Sequence, residues 1–171
     1  MKPLLLVDGY NVIGAWRVPR EERLSIEEAR DRLVHLIADY AGYSGEEVIV
    51  VFDGHYTDRA ARTRQSVNGV EVVFTRHAES ADNYIEAACE AAPKWRHVRV
   101  ATSDAVEQTV TLGRGAVRIS SREFLMELEQ VRRAGQEYAR DGRISEDTRR
   151  RVETPMIPPE EYVRIVNGGA Q

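Results

Sequence analysis

The chain has 171 residues, of which 42% are hydrophobic and 30% charged, with a formal net charge of −4 and a single cysteine. This length and composition suit one globular domain with its own core, and one cysteine excludes an internal disulfide and a cysteine-rich zinc site. The apolar run near the N-terminus is too short for a signal peptide, and no stretch reaches the roughly 20 apolar residues of a membrane span. We therefore expect a cytoplasmic protein with no membrane partner.

Short apolar runs alternate with segments of helical periodicity along the chain. The predicted strands cover residues 4–7, 48–52, 70–74, 98–102 and 116–119. The predicted helices cover residues 26–41, 81–92, 105–112, 121–140 and 159–166. Capping boxes, with Ser followed three residues later by Glu, open two of these helices at Ser25 and Ser120. Strands that alternate with helices predict a doubly wound, mainly parallel sheet.

Three of the predicted strands run into an aspartate, at Asp8, Asp53 and Asp104. A fourth acid, Asp82, lies in the first turn of a helix that follows a strand. Because ligands bind outside the carboxyl ends of parallel strands, we expect these acids at one edge of the sheet. Carboxylates that crowd together repel one another, and a hard divalent cation such as Mg²⁺ or Mn²⁺ relieves this repulsion. Such an ion activates water in phosphodiester cleavage.

Each aspartate also has a simpler explanation taken singly. Asp104 in Thr-Ser-Asp suits a helix N-cap, and Asp82 suits the dipole of the helix that it opens. An aspartyl-nucleophile phosphatase also carries an Asp at the end of its first strand, but its second Asp would stand where Tyr10 is. The chain has neither a P-loop nor a dinucleotide-binding glycine motif. Only the joint pattern of the four acids favours a metal site.

Four motifs occur in a characteristic order along the chain. They read Val-Asp-Gly-Tyr-Asn-Val-Ile (7–13), Val-Val-Phe-Asp-Gly (50–54), Glu-Ser-Ala-Asp-Asn-Tyr-Ile-Glu (79–86) and Ala-Thr-Ser-Asp-Ala-Val-Glu-Gln (101–108). Together they resemble the YacP-like branch of NYN domains, relatives of the PIN-type nucleases. The resemblance implies a three-layer α/β/α PIN-like fold with a mainly parallel five-stranded sheet, a divalent metal and endoribonuclease activity. It also implies a nuclease domain over residues 1–141 and leaves 142–171 as a polar C-terminal extension with a short helix.

The resemblance assigns roles to individual positions. It implies that Asp8, Asp82 and Asp104 are catalytic metal ligands and that Asn11 orients a ligand or the attacking water. Asp53 matches a further strand end of the family, as another ligand or an anchor of its loop.

The implied substrate is single-stranded RNA, and bacterial members of the branch resemble ribosome-associated mRNA endonucleases. All but two of the 24 basic residues are Arg, whose planar fork suits phosphate. We expect residues 57–65 to form a basic loop, although a solvated loop with no role remains the alternative. The candidate RNA-binding residues are Arg59, Arg62, Arg64, Arg76, His77, Tyr10, His55 and Ser103.

The negative net charge bears on how such a nuclease would meet its substrate. A chain with charge −4 and only a local basic surface should bind free RNA weakly, so a larger partner such as the ribosome would present the mRNA. The alternative function is a catalytically silent RNA- or ribosome-binding adaptor with the same fold. The intact Asp8, Asp82 and Asp104 favour the enzyme.

Overall fold

The computed structural model describes residues 1–54, 61–103 and 115–151, with the backbone alone for 143–151. Its strands form one sheet in the order β3-β4-β2-β1-β5-β6, in which β3 is antiparallel to β4 and all other neighbours are parallel. The strands are β1 (Leu4–Asp8), β2 (Glu47–Phe52), β3 (Thr63–Val67), β4 (Val70–Phe74), β5 (Val98–Ala101) and β6 (Val117–Ile119). The helices are α1 (Gly9–Ala15), α2 (Val18–Glu21), α3 (Ile26–Ser44), α4 (Ala81–Ala91) and α5 (Ser121–Arg151).

Alternate residues of β1 enter two separate cores. Leu5 and Val7 pack in a cluster that includes residues of α1, α3 and α5, whereas Leu4 and Leu6 pack in a cluster that includes residues of α4. Strands covered on both faces read as continuous apolar runs, which is why this run predicted a central strand. The result is the predicted three-layer α/β/α arrangement.

Both predicted capping boxes are present. The Glu28 N–H donates to Ser25 Oγ at 3.1 Å, and the Glu28 carboxylate accepts from the Ser25 N–H at 2.8 Å. The same pair of contacts joins Ser120 and Glu123, at 3.2 and 2.8 Å. These local signals therefore place the beginnings of α3 and α5 correctly.

The sheet has a sixth strand that the sequence analysis missed. The expected basic loop is wrong over residues 63–65, because they belong to β3, an exposed polar strand at the sheet edge. A two-residue turn connects β3 to β4, and both of its residues have positive φ, 48° at Asn68 and 85° at Gly69. Asn-Gly between two strands is the strongest short-range signal for a hairpin, and it was the informative feature here.

Several helix bounds also differ from the predictions. Residues 9–15 form α1 and residues 18–21 form α2, two short helices that are absent from the predicted elements. Helix α3 continues to Ser44, with Gly45 at φ 73° as its C-cap instead of Gly42. Helix α5 continues past Gly142, since one glycine inside a helix costs only about 1 kcal/mol.

The predicted helices at 105–112 and 159–166 lie outside the described residues. By its internal contacts the chain divides into Met1–Arg132 and Arg133–Gln171. The expected domain boundary after residue 141 stays a prediction. Across the described ranges, no helix is both long enough and apolar enough to span a bilayer.

Candidate active site

The carboxyl ends of β1, β2 and β5 bring Asp8, Asp53 and Ser103 to one edge of the sheet. Asp8 is the last residue of β1 and pairs with Val51, so Asp53 follows two residues beyond that level. On the other side of β1, Val7 pairs with Ala101, and Ser103 follows two residues later. Asp104, the next residue in the chain, lies outside the described residues.

Asp8 is buried at the junction of β1 and α1. It is 9% exposed, and its Oδ1 accepts the Asn11 N–H at 3.3 Å as the N-cap of α1. The next residue, Gly9, is a glycine because a Cβ at this position would overlap the fully buried Phe52 ring. Asp8 thus makes a helix-capping contact at the carboxyl end of β1.

Asn11 links three segments at this edge. Its Oδ1 accepts the Ser103 N–H at 2.8 Å and the Ser121 hydroxyl at 2.5 Å. The Ser121 N–H in turn donates to Ser103 Oγ at 3.1 Å. Asn11 therefore fixes the backbone immediately before Asp104 and the beginning of α5.

Ser121 is the participant that the sequence analysis missed. It is fully buried, whereas most serines are exposed. The capping box accounts for Ser120 and leaves the next serine, in the first turn of α5, without a local role. The sequence contained one signal for this role. Ser121 is a polar residue without a capping role, and it lies at the start of a helix whose Phe124 enters the core.

A second set of contacts joins the end of β2 to the segment before α4. The Gly54 N–H donates to Thr75 Oγ1 at 2.8 Å, and the Thr75 hydroxyl donates to the Glu79 carbonyl at 2.6 Å. Thr75 is fully buried, and a Cβ on Gly54 would overlap its carbonyl. These contacts connect the residue after Asp53 to the residue that precedes the Ser80 cap of α4, whose first turn holds Asp82.

The oxygen atoms at this edge of the sheet suit a hard cation as ligands. Carboxylate and amide oxygens are the ligands that Mg²⁺ and Mn²⁺ take. Within residues 1–54, 61–103 and 115–142, whose side chains the structure describes, no three His, Cys, Asp or Glu side chains form a group that could hold an ion. Asp8, Asp53 and Asp82 therefore do not make a metal site without Asp104, and metal binding stays a prediction.

Arg62 directly precedes β3, Arg64 lies in β3, and both contact carboxylates. Arg62 Nε donates to Glu79 Oε2 at 3.1 Å, and this hydrogen bond raises the pKa of the guanidinium. Arg64 Nη1 donates to Glu71 at 2.8 Å, and its Nη2 donates to the Tyr84 hydroxyl at 3.0 Å. Both guanidinium groups also lie over the Tyr84 ring, at 4.9 and 5.8 Å from its centroid. Their charges are thus partly neutralised, which the sequence did not show.

The other candidate RNA-binding residues have mixed settings. Arg76 and His77 are exposed after β4. Tyr10 is half-buried, with its ring centroid 5.1 Å from that of Phe52 and its hydroxyl accepting from Arg30 at 2.9 Å. Tyr10 therefore packs against the core. His55 and Arg59 lie outside the described residues, and RNA binding by this whole set stays a prediction.

Comparisons with known proteins agree with this fold and these motifs. The chain is 45% identical over 132 residues to the Bacillus subtilis (strain 168) protein named "Uncharacterized protein YacP", which is 76% of this chain and 77% of that protein. A crystal structure of Rae1 (YacP) from Bacillus subtilis matches with a TM-score of 0.72 and 37% identity, covering 95% of this chain and 91% of that one. A point-mutant structure of Rae1 (YacP) matches with a TM-score of 0.67 and 42% identity, covering 81% and 82%.

The model of the YacP-like NYN domain matches residues 5–159, which is most of the chain. The NYN domain is a PIN-like, nuclease-type domain. This chain belongs to the YacP-like NYN domain family.

Proposed function

We propose that this protein is a divalent-metal-dependent endoribonuclease that cleaves single-stranded RNA in the cytoplasm. The observation that carries the proposal is the arrangement around Asn11. Its amide oxygen holds the chain directly before Asp104, and its N–H contacts Asp8. Strand ends that carry acids are thereby fixed at one edge of the sheet, in a family of nuclease-type domains.

The proposed roles are supported by the family's motifs and by the strand ends at which Asp8 and Asp53 lie. Asp8, Asp82 and Asp104 would hold Mg²⁺ or Mn²⁺, with Asp53 as a further ligand or an anchor of its loop. A bound ion of this kind supplies an activated water and stabilises the leaving oxygen. Asn11 positions the segment that leads to Asp104, and its contacts to two serines keep that segment in place.

We further propose that the substrate is mRNA presented by the ribosome. The net charge of −4 weakens attraction to free RNA, because affinity for RNA depends on cations that contact phosphates. The ion pairs of Arg62 and Arg64 reduce that attraction further at the surface first expected to bind RNA. A large partner that delivers the strand would offset both effects.

The test is cleavage by the full-length protein of unstructured RNA and of mRNA on translating ribosomes, each with Mn²⁺, with Mg²⁺ and with a chelator. We expect metal-dependent endonucleolytic products, at a higher rate on ribosomes than on free RNA. Binding to RNA or ribosomes without cleavage under any of these conditions would contradict the nuclease and favour a silent adaptor. Equal rates on free and ribosomal RNA would contradict only the proposed partner.

A further inference from the structure

A groove of about 1050 Å³ opens beside the candidate active site. Helices α1 and α2 line it together with the first turns of α5. Asn11 and Ser103 are among its lining residues, so it is continuous with the edge that carries the acids.

The charge of this groove is one-sided. Arg17, Arg20 and Arg122 line it and are all exposed, and no acidic residue belongs to its described lining. In the part of the chain that the structure describes, Arg17 and Arg122 make no ion pair, and Arg20 donates to the Gly14 carbonyl at 3.3 Å. Three cations without opposing carboxylates attract a polyanion, and Arg suits phosphate in particular.

Apolar side chains lie among these arginines. Trp16 is half-buried in the lining, and Met126 is 62% exposed at the first turns of α5. Exposed apolar surface beside cations suits a nucleic acid whose bases are accessible, because unpaired bases stack on aromatic side chains while basic groups follow the backbone. In a duplex the base faces are stacked within the helix and unavailable for such contacts.

We propose that this groove carries the single-stranded RNA to the active site. Its phosphates contact Arg17, Arg20 and Arg122, and its bases lie against Trp16 and Met126. The inference rests on the proposed function for the identity of the strand, and it assigns the approach to the α1 and α5 side of the site. The ion-paired Arg62 and Arg64 are then not the main RNA-binding surface.

Two substitutions at Gly14 change the charge of the groove while they keep nearly the same side-chain shape. It lines the groove inside α1, and a Cβ there would meet nothing within 4 Å. Glu and Gln at this position have similar size, and both favour a helix more than Gly does. We expect Gly14→Glu to bind a short, unstructured, fluorescently labelled RNA at least tenfold more weakly than Gly14→Gln, measured by anisotropy in the presence of a chelator.

A pair of double variants tests the arginines themselves. Arg17→Gln with Arg122→Gln removes two groove charges, and Arg32→Gln with Arg132→Gln removes two exposed charges that are paired with Glu22 and Glu129 outside the groove. For a single strand each lost phosphate contact lowers the log–log salt slope by about 0.7, so the groove variant should lose about 1.4 between roughly 50 and 200 mM salt. The control pair should keep the wild-type slope and affinity.

Binding and cleavage together separate this inference from the proposed function. Equal RNA affinity of Gly14→Glu and Gly14→Gln, with an unchanged salt slope in the groove double variant, overturns the proposal that the groove binds RNA. Cleavage by the wild type in that case leaves the nuclease proposal intact, with RNA entering elsewhere. Binding that depends on the groove, in a protein that cleaves no RNA, supports the groove and contradicts the nuclease.

Discussion

Asn11 shows how much a single residue adds to the candidate site. Its position after a strand that ends in Asp8 was evident from the sequence, and so was its proximity to the sheet edge. Its contacts to Ser103 and Ser121 were not, because they join positions 92 and 110 residues apart in the chain. Local patterns predict what a residue is next to in sequence, whereas such contacts depend on how β5 and α5 pack.

The buried Ser121 hydroxyl provides a test of this contact. Ser121→Ala removes the donor to Asn11 and should lower the free energy of unfolding by about 1 kcal/mol. Asn11→Ala removes the shared acceptor, so the two changes should be non-additive, with a coupling of roughly 0.5–3 kcal/mol. Urea denaturation of both single variants and the double variant measures it. Additive losses would mean that the Asn11–Ser121 hydrogen bond contributes nothing to stability.

At the scale of elements, the helix beginnings were the most predictable part of the fold and the edge strand the least. Capping boxes are local, so Ser25 and Ser120 identify the starts of α3 and α5 directly. Strand β3 is polar and exposed, so it lacks the apolar run by which the other strands were predicted. Its formation depends instead on the Asn-Gly turn and on pairing with β4.

The turn between β3 and β4 is therefore a sensitive point of the sheet. Gly69 has φ 85°, so Gly69→Ala should lower the free energy of unfolding by about 1–2 kcal/mol through backbone strain. Gly42→Ala is the matched control, because Gly42 lies inside α3 and a Cβ there would meet nothing within 4 Å. It should stabilise the protein by about 0.5–1 kcal/mol. Equal changes in the free energy of unfolding of the two variants, measured by urea denaturation, would contradict the positive φ at Gly69.

The capping boxes also predict a pH dependence. Hydrogen bonds with the backbone of Ser25 and with its side chain lower the pKa of Glu28. Hydrogen bonds with the side chain of Ser120 and with its backbone lower the pKa of Glu123 in the same way. A lowered folded-state pKa gives stability that is present above the unfolded value near 4.5 and is lost as pH falls through the folded value. The stability difference between wild type and Ser25→Ala should thus shrink on acidification below that pH. Thermal unfolding at several pH values across this range measures the difference. A stability difference between wild type and Ser25→Ala that does not change with pH would contradict the capping contribution.

At the scale of the whole molecule, the sheet separates two polar regions. Near the amino ends of β2 and β5, Arg99 contacts the Tyr40 hydroxyl at 2.9 Å, Glu127 at 2.8 Å and Glu46 at 3.2 Å. Burial and the hydrogen bond to Glu46 raise the pKa of Tyr40, so this cluster keeps its neutral hydroxyl. The carboxyl ends of the same strands hold the candidate site, so the Arg99 cluster and the candidate site lie at opposite ends of these strands.

That separation predicts a variant that loses stability and keeps activity. Arg99→Ala leaves Glu46, Glu127 and Tyr40 without their shared donor and should cost about 1–3 kcal/mol. Below its own melting temperature it should cleave RNA at the wild-type rate, because none of its contacts reaches the acids. A large loss of cleavage in a folded Arg99→Ala protein would contradict the division.

The fold and the shared edge of Asp8 and Asp53 could be predicted from the sequence because apolar runs and strand polarity determine them. The groove could not, because Arg17 and Arg20, at the N-cap and inside α2, meet Arg122 of α5 only in three dimensions. The pairing of Arg62 and Arg64 was equally hidden, since Glu79 lies 17 residues from Arg62 in the chain.

The most direct test of the account is RNA cleavage by aspartate variants in saturating Mn²⁺, at equal protein concentration and below the melting temperature of each. Asp8→Asn, Asp82→Asn and Asp104→Asn should each abolish cleavage while the protein stays folded. We expect Mn²⁺ to raise the melting temperature of the wild type and not those of the three variants. Asp39→Asn, an exposed aspartate of α3, is the matched control and should cleave normally. Wild-type cleavage by the three site variants would contradict a metal-dependent nuclease at this edge of the sheet.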